Sequence, residues 1–206
     1  SNRSSGYIIT SNNFFMFSDL ITSKTRPKLL SLFLDNPSEM FHVREVVRRV
    51  AEEINAVRRE LIILEKKGIL TREPRANRVY YYLDKGYPFY FDILRINSKT
   101  RGLGGDIIKN RVKLGKIKFA MLSGKFARGI RENPEDVDLL VVGTVVVQEL
   151  AVIVRAEEEK RKHEVNYTVM SEEEFLFRKR RRDPFITSII YGSRVMLIGD
   201  EEQLLA

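Results

Sequence analysis

The reading of this chain turns on residues 123–142, SGKFARGIRENPEDVDLLVV, where a glycine-bearing turn and an arginine are followed by Asp136-x-Asp138 running into an apolar strand. Alternate residues of a strand share a face, so this spacing aims both carboxylates to one side, beside a backbone turn suited to phosphate. A nucleotidyl-transfer site needs carboxylates to hold magnesium and amides or cations to cradle a triphosphate. Asp136 and Asp138 are candidates for the first role, and Gly124, Lys125 and Arg128 for the second.

Around this stretch, strand and helix signals alternate. Strands are expected at 117–122 and 137–142, a long helix at 145–162, a strand at 165–170, a helix at 171–181 opened by the capping box of Ser171 and Glu174, and a short strand at 195–198. These make a mixed-sheet domain over 116–206. Upstream, 87–97 carries a dense aromatic and apolar stripe expected to form a connecting helix, a glycine-rich break follows at 102–105, and another helix is expected at 106–114.

The first part of the chain has a different order. A helix is expected from Ser23 to a stop at Asn36-Pro37, a second at 43–50, and a third at 55–67 closed by Gly68. Two β-prone runs, 69–72 and 79–83, joined through 74–78, read as a hairpin. Three helices and a hairpin are the order of a winged helix-turn-helix, assigned to 19–86. The assigned layout is an arm at 1–18, this module, connecting helices at 87–115, and the mixed-sheet domain. The fold class is α+β.

On the third helix, Val57, Leu61 and Leu64 recur at helical spacing and face the core, leaving Asn55, Arg58, Arg59 and Ile62 elsewhere on the cylinder. In a helix-turn-helix the N-terminal part of this element meets base edges, and arginine pairs bidentately with guanine O6 and N7. Asn55, Arg58 and Arg59 are therefore candidate DNA-reading residues. Arg75 and Arg78 at the hairpin tip are candidates for phosphate or minor-groove contact.

Composition narrows the partners. The net charge of +8 over 206 residues points to polyanions such as nucleic acid or nucleotides. With no cysteine there is no disulfide scaffold or thiolate zinc site, and a reducing cytoplasm is the expected setting. Only two histidines, His42 and His163, argue against a histidine metal cluster, and no apolar run approaches the ~20 residues that span a bilayer. The densest basic run, 178–182, reads either as phosphate-binding track or as a solvated helix end, and together with 160–162 it offers RNA a positive surface on this half.

The glycine turn followed by Asp-x-Asp in a strand resembles the DNA polymerase β-like nucleotidyltransferase superfamily, and GKFARGIRENPEDVDLLVVG is similar to its minimal branch. With the preceding module and the ending DPFITSIIYGSRVMLIGDEEQL, the chain resembles the subgroup that fuses an ArsR-like winged helix to that domain. The resemblance implies magnesium on Asp136 and Asp138, with ATP or another nucleoside triphosphate as ligand. It also implies a third carboxylate from a later strand, for which Glu164 is the candidate and Asn166 the alternative register. Where members usually carry serine after the turn glycine, this chain has Lys125, which either binds phosphate as a point charge or fills the pocket.

Three functions follow. The first is a DNA-binding transcriptional regulator whose second half binds nucleotide or mediates assembly, as a homodimer where two half-sites are read. The second is a magnesium-dependent enzyme that moves a nucleoside monophosphate to a protein, RNA or small-molecule acceptor. The third, implied by the resemblance to the minimal branch, is an antitoxin-type protein acting beside a separate helical partner protein.

Overall fold

The computed structural model describes residues 23–131, 133 and 135–206, so the expected arm at 1–18 lies outside the described residues. Among these are ten helices and two sheets in a mixed α/β arrangement. No described helix is long and apolar enough to cross a membrane.

The first half runs α1 (Thr25–Asp35), β1 (Phe41–His42), α2 (Val43–Val50), α3 (Ile54–Lys66), β2 (Leu70–Arg75) and β3 (Arg78–Leu83). Local chemistry sets the ends. The Asn36 side chain donates to the Leu32 carbonyl as α1 stops, His42 Nδ1 accepts from the Glu45 N–H at the start of α2, and the Glu53 carboxylate accepts from the Asn55 and Ala56 N–H groups at the start of α3. Leu29, Phe33, Val46, Val57, Leu61 and Leu64 close one core. Glu60, on the inner side of α3, is buried with them and meets Arg26 at 2.7 Å. Burial alone would raise the Glu60 pKa, but the hydrogen bond from Arg26 holds it below the usual carboxylate range.

The hairpin is tighter than its sequence suggests. β2 continues through Pro74 to Arg75, and Arg75 pairs directly with Arg78 across a two-residue turn in which Ala76 takes a φ of 50°. Proline fits there because β2 is an edge strand in the order β1-β3-β2 and its missing N–H removes no ladder bond on the outer side. The third strand, β1, is only two residues long, too short to leave a periodic signal.

The connector is α4 (Tyr90–Thr100) and α5 (Gly102–Lys109). The expected break at 102–105 is instead the start of α5. A Cβ on Gly104 would come within 2.1 Å of the Ser98 carbonyl oxygen, so these glycines permit a close corner between two helices rather than a loop. The helix expected at 106–114 thus begins earlier and ends at Lys109. Phe91 of α4 packs against the first core and also against the second half.

The second half runs β4 (Gly115–Ser123), α6 (Gly124–Ala127), β5 (Leu139–Val145), α7 (Val147–Arg161), β6 (Tyr167–Met170), α8 (Glu172–Arg180), α9 (Pro184–Tyr191), β7 (Arg194–Ile198) and α10 (Glu201–Leu205). Its sheet is ordered β6-β5-β4-β7, with β5 and β6 parallel and the other pairs antiparallel. Both faces are covered: Leu139 and Val141 of β5 enter one core, Leu140 and Val142 the other. That explains the unbroken apolar run LLVV, which a one-sided strand would have interrupted. The pair Asp136 and Asp138 lies just before β5 rather than within it. Helix α9, which was not expected, is capped by Asp183 with Pro184 at its first position.

Candidate functional site

The glycine turn is positioned by β4, whose last residue, Ser123, caps α6 by accepting from the Phe126 N–H at 3.0 Å. Gly124 is buried against the segment entering β7. Its N–H donates to the Ser193 carbonyl at 2.7 Å, and a Cβ at this position would come 2.0 Å from Ser193 Oγ. The Gly124 amide expected to face phosphate is therefore engaged by the protein itself.

Lys125 is turned toward the aspartates. Its ammonium lies 2.8 Å from Asp136 Oδ2, both groups being partly exposed. Arg128 turns away from them, donates to Ser193 Oγ at 3.1 Å, and stacks its guanidinium 4.2 Å from the Phe91 ring centroid. It is thereby bound to the connector, which no spacing in the sequence foretold.

Asp136 and Asp138 part company. Asp136 lines a cleft of about 310 Å³ with Gly124, Lys125, Ser193 and Arg194, whereas Asp138 lines a larger cleft on the other side. The Asp138 carboxylate accepts from the Asn166 N–H at 3.0 Å, its own N–H donates to the Asn166 carbonyl at 2.8 Å, and Asn166 Nδ2 donates to the Asp136 carbonyl at 3.2 Å. The parallel pairing of Leu139 with Tyr167 makes this register unavoidable, because it sets the preceding residues side by side. Asn166 is thus the neighbour of the aspartates, while Glu164 is exposed and its backbone carbonyl accepts from Arg131.

Magnesium takes near-octahedral oxygen donors at about 2.0–2.1 Å. Here one carboxylate is ion-paired with a lysine and the other opens on a different cleft. Among the described residues, no group of three or more His, Cys, Asp or Glu is placed to hold a metal. In this arrangement the two carboxylates do not converge on one site.

Burial raises the Asp138 pKa, against the hydrogen bond from Asn166 and the charges of Arg131 and Arg161, which lower it. A carboxyl whose folded pKa is raised favours the native state below its unfolded pKa, near 3.8, and this contribution is lost as pH rises through the folded value. Asp138→Asn keeps an acceptor for the Asn166 N–H and removes the ionisation. Urea unfolding across the acid range is expected to show the variant gaining stability relative to the wild type as pH rises above that point. A constant difference between the two proteins speaks against a strained carboxylate.

On the first half, the structure brings Asn55, Arg58, Arg59 and Ile62 to one exposed face of α3. Neither arginine has an ion pair among the described residues. At the hairpin tip Arg75 and Arg78 are both exposed and directly opposed, with Arg75 paired to Glu73 at 2.7 Å and stacked over Tyr80. Like charges opposite one another weaken a sheet, and the Glu73 carboxylate and the Tyr80 ring offset this on the Arg75 side while Arg78 has no ion pair among the described residues.

The geometry defines a basic helical module with a three-stranded sheet, joined by two helices to a mixed four-stranded sheet with a lysine-bridged aspartate at its edge. No protein-family model matches the chain, and no curated protein matches it. Similar solved structures include reduced HlyU from Vibrio cholerae, 18% identical over 44% of this chain and 86% of that one, with a TM-score of 0.32. They also include the ferric uptake regulator from Francisella tularensis with iron, 13% identical over 83% of this chain and 94% of that one, with a TM-score of 0.30. Scores of this size decide neither fold nor function, which rest on the chain's own geometry.

Proposed function

We propose that this chain is a DNA-binding regulator. Residues 19–86 act as a winged helix-turn-helix that lays α3 in the major groove and the β2–β3 tip on the backbone, 87–115 as a connector, and 116–206 as a nucleotidyltransferase-like half without turnover. The observation that carries the reading is the outer face of α3, where two arginines without ion pairs, an asparagine and an exposed Ile62 stand at one-face spacing. Arginine suits guanine, asparagine suits adenine, and an apolar side chain suits the thymine methyl group.

The second half is read from the glycine turn and aspartate pair at neighbouring strand ends of a mixed sheet. Its want of turnover is read from Lys125 on Asp136 and Asn166 beside Asp138. Magnesium and nucleoside triphosphate have no catalytic role in such a regulator.

The test is fluorescence polarisation with a pool of random duplexes, titrated with salt. Binding is expected to weaken steeply as salt rises, and binding indifferent to salt excludes a phosphate-tracking module. Replacing Arg75 and Arg78 together by alanine is expected to make the slope of log affinity against log salt shallower by about 2, since each phosphate contact contributes roughly 0.9. An unchanged slope removes the hairpin tip from the interface.

A further inference from the structure

Between the two halves lies the larger cleft, of about 600 Å³, within the roughly 300–1,000 Å³ that accommodates small ligands. It shares only Leu122 with the Lys125 cleft. The halves meet at its edge, where Gly129, at a φ of +65°, packs so closely on Pro37 and Ser38 that a Cβ would come 3.0 Å from Ser38 Oγ.

The walls differ in chemistry. The second half contributes Arg131, Lys160, Arg161 and His163 with the carboxylates Asp138 and Glu157, while the first half and connector contribute the acceptors Asp35, Glu39 and Asn97 with Arg49 and Arg101, Arg49 being held by Glu45. Some of these charges are already matched: Arg161 pairs with the buried Glu157, and Arg101 with Asp35 at 2.8 Å. Arg131 and Lys160 have no ion pair among the described residues. Burial lowers the His163 pKa, and the guanidinium groups of Arg131 and Arg161 lower it further, as expected beside concentrated positive charge.

Asn97 supplies an independent sign at the opposite wall. It is only 8% exposed, its Nδ2 donates to Asp35 Oδ1 at 3.0 Å, and its Oδ1 is closed off from solvent with no donor among the described residues. A buried acceptor left without a donor is costly, and Asn97 lines this cleft.

We infer that this cleft binds a nucleotide-sized phosphate ester bearing N–H donors, with its phosphate on Arg131 and Lys160 and its donors on Glu39 and Asn97. With Arg49, Arg101 and Arg161 held in ion pairs, the remaining cations Arg131 and Lys160 at one end and the acceptors Glu39 and Asn97 at the other match such a two-ended ligand better than a simple anion, which uses only one wall. The site is independent of DNA binding and of the aspartate pair's ancestry.

The experiment is isothermal titration of the full chain with AMP, using ribose 5-phosphate and adenosine as half-ligands. AMP is expected to bind saturably and more tightly than either half. Arg131→Gln combined with Lys160→Gln, both at exposed positions, is expected to weaken AMP by at least about tenfold through loss of charge-assisted hydrogen bonds, with thermal unfolding showing the fold intact. Glu39→Gln is expected to narrow the preference for AMP over ribose 5-phosphate. Lys125→Gln distinguishes the clefts: AMP binding lost there and kept in the double variant overturns the inference. No saturable AMP binding, or ribose 5-phosphate binding as tightly as AMP, overturns it equally.

Discussion

Replacing Arg58 and Arg59 together by alanine is expected to weaken DNA binding by roughly thirtyfold or more, taking about 1 kcal/mol for each as the low end of a base-edge arginine contact. The fold is expected to survive. Both side chains are exposed on the outer face of α3 and neither has an ion pair among the described residues, whereas the inner face holds through Val57, Glu60, Leu61 and Leu64. The thermal midpoint therefore stays near that of the wild type, and polarisation reports an interface effect. Base contacts also carry sequence preference, so the double variant is expected to discriminate less among duplexes, unlike the hairpin variant, which weakens all of them alike. Equal affinity and equal salt dependence in wild type and variant remove α3 as the reading helix.

Gly104→Ala is expected to lower the thermal midpoint by roughly 4–8 °C, from about 3 kcal/mol of overpacking less about 1 kcal/mol of helix propensity, at about 2–4 °C per kcal/mol for a chain of this size. Two effects compete. Alanine in place of glycine favours a helix by about 1 kcal/mol, which acts in the variant's favour. Against it, the new Cβ meets the Ser98 carbonyl oxygen at 2.1 Å and Leu197 Cδ2 at 2.9 Å. The first of these is backbone of α4 and has no rotamer with which to move away, so the clash prevails and the corner between α4 and α5 opens. Gly86→Ala is the contrasting case: its new Cβ meets only Asp84 Oδ1, at 3.1 Å, an exposed side chain that need give by only a few tenths of an ångström while keeping its bond from the residue 86 N–H, and a change below about 1 kcal/mol is expected. A stable Gly104→Ala protein means the connector packs more loosely than the contact implies.

Much of the fold was legible because its signals are local. Leu29 and Phe33, and Val57, Leu61 and Leu64, recur at helical spacing, and all are buried. Ser171 caps α8 as its spacing with Glu174 implies. The misreadings came where a non-local contact overrode a local signal. Glycines at 102–105 suggest a break in isolation, yet they serve a close helix corner whose partner, Ser98, is defined only by packing. Pro74 suggests a loop, yet it is tolerated in β2 because that strand lies on an edge.

The candidate site divides in the same way. Asp136 and Asp138 were found by their spacing, but a strand-like alternation implies one shared face, and the bend before β5 sends them to different clefts. Arg128 was matched by residue type to a phosphate, and the structure binds it to Phe91 and Ser193. Ser193 itself carries no recognisable motif, since its part is to supply a carbonyl to Gly124.

By itself, then, the sequence determined which residues are basic, which helix faces are apolar, and that a glycine turn precedes an aspartate pair, because each depends on neighbours within a few positions. Only the tertiary structure decided that Lys125 sits on Asp136, that Asn166 rather than Glu164 bonds to the segment holding the aspartates, and that a two-sided polar cleft lies between the halves. Those outcomes depend on strand register and helix docking, where a displacement of one residue turns a side chain to the opposite face.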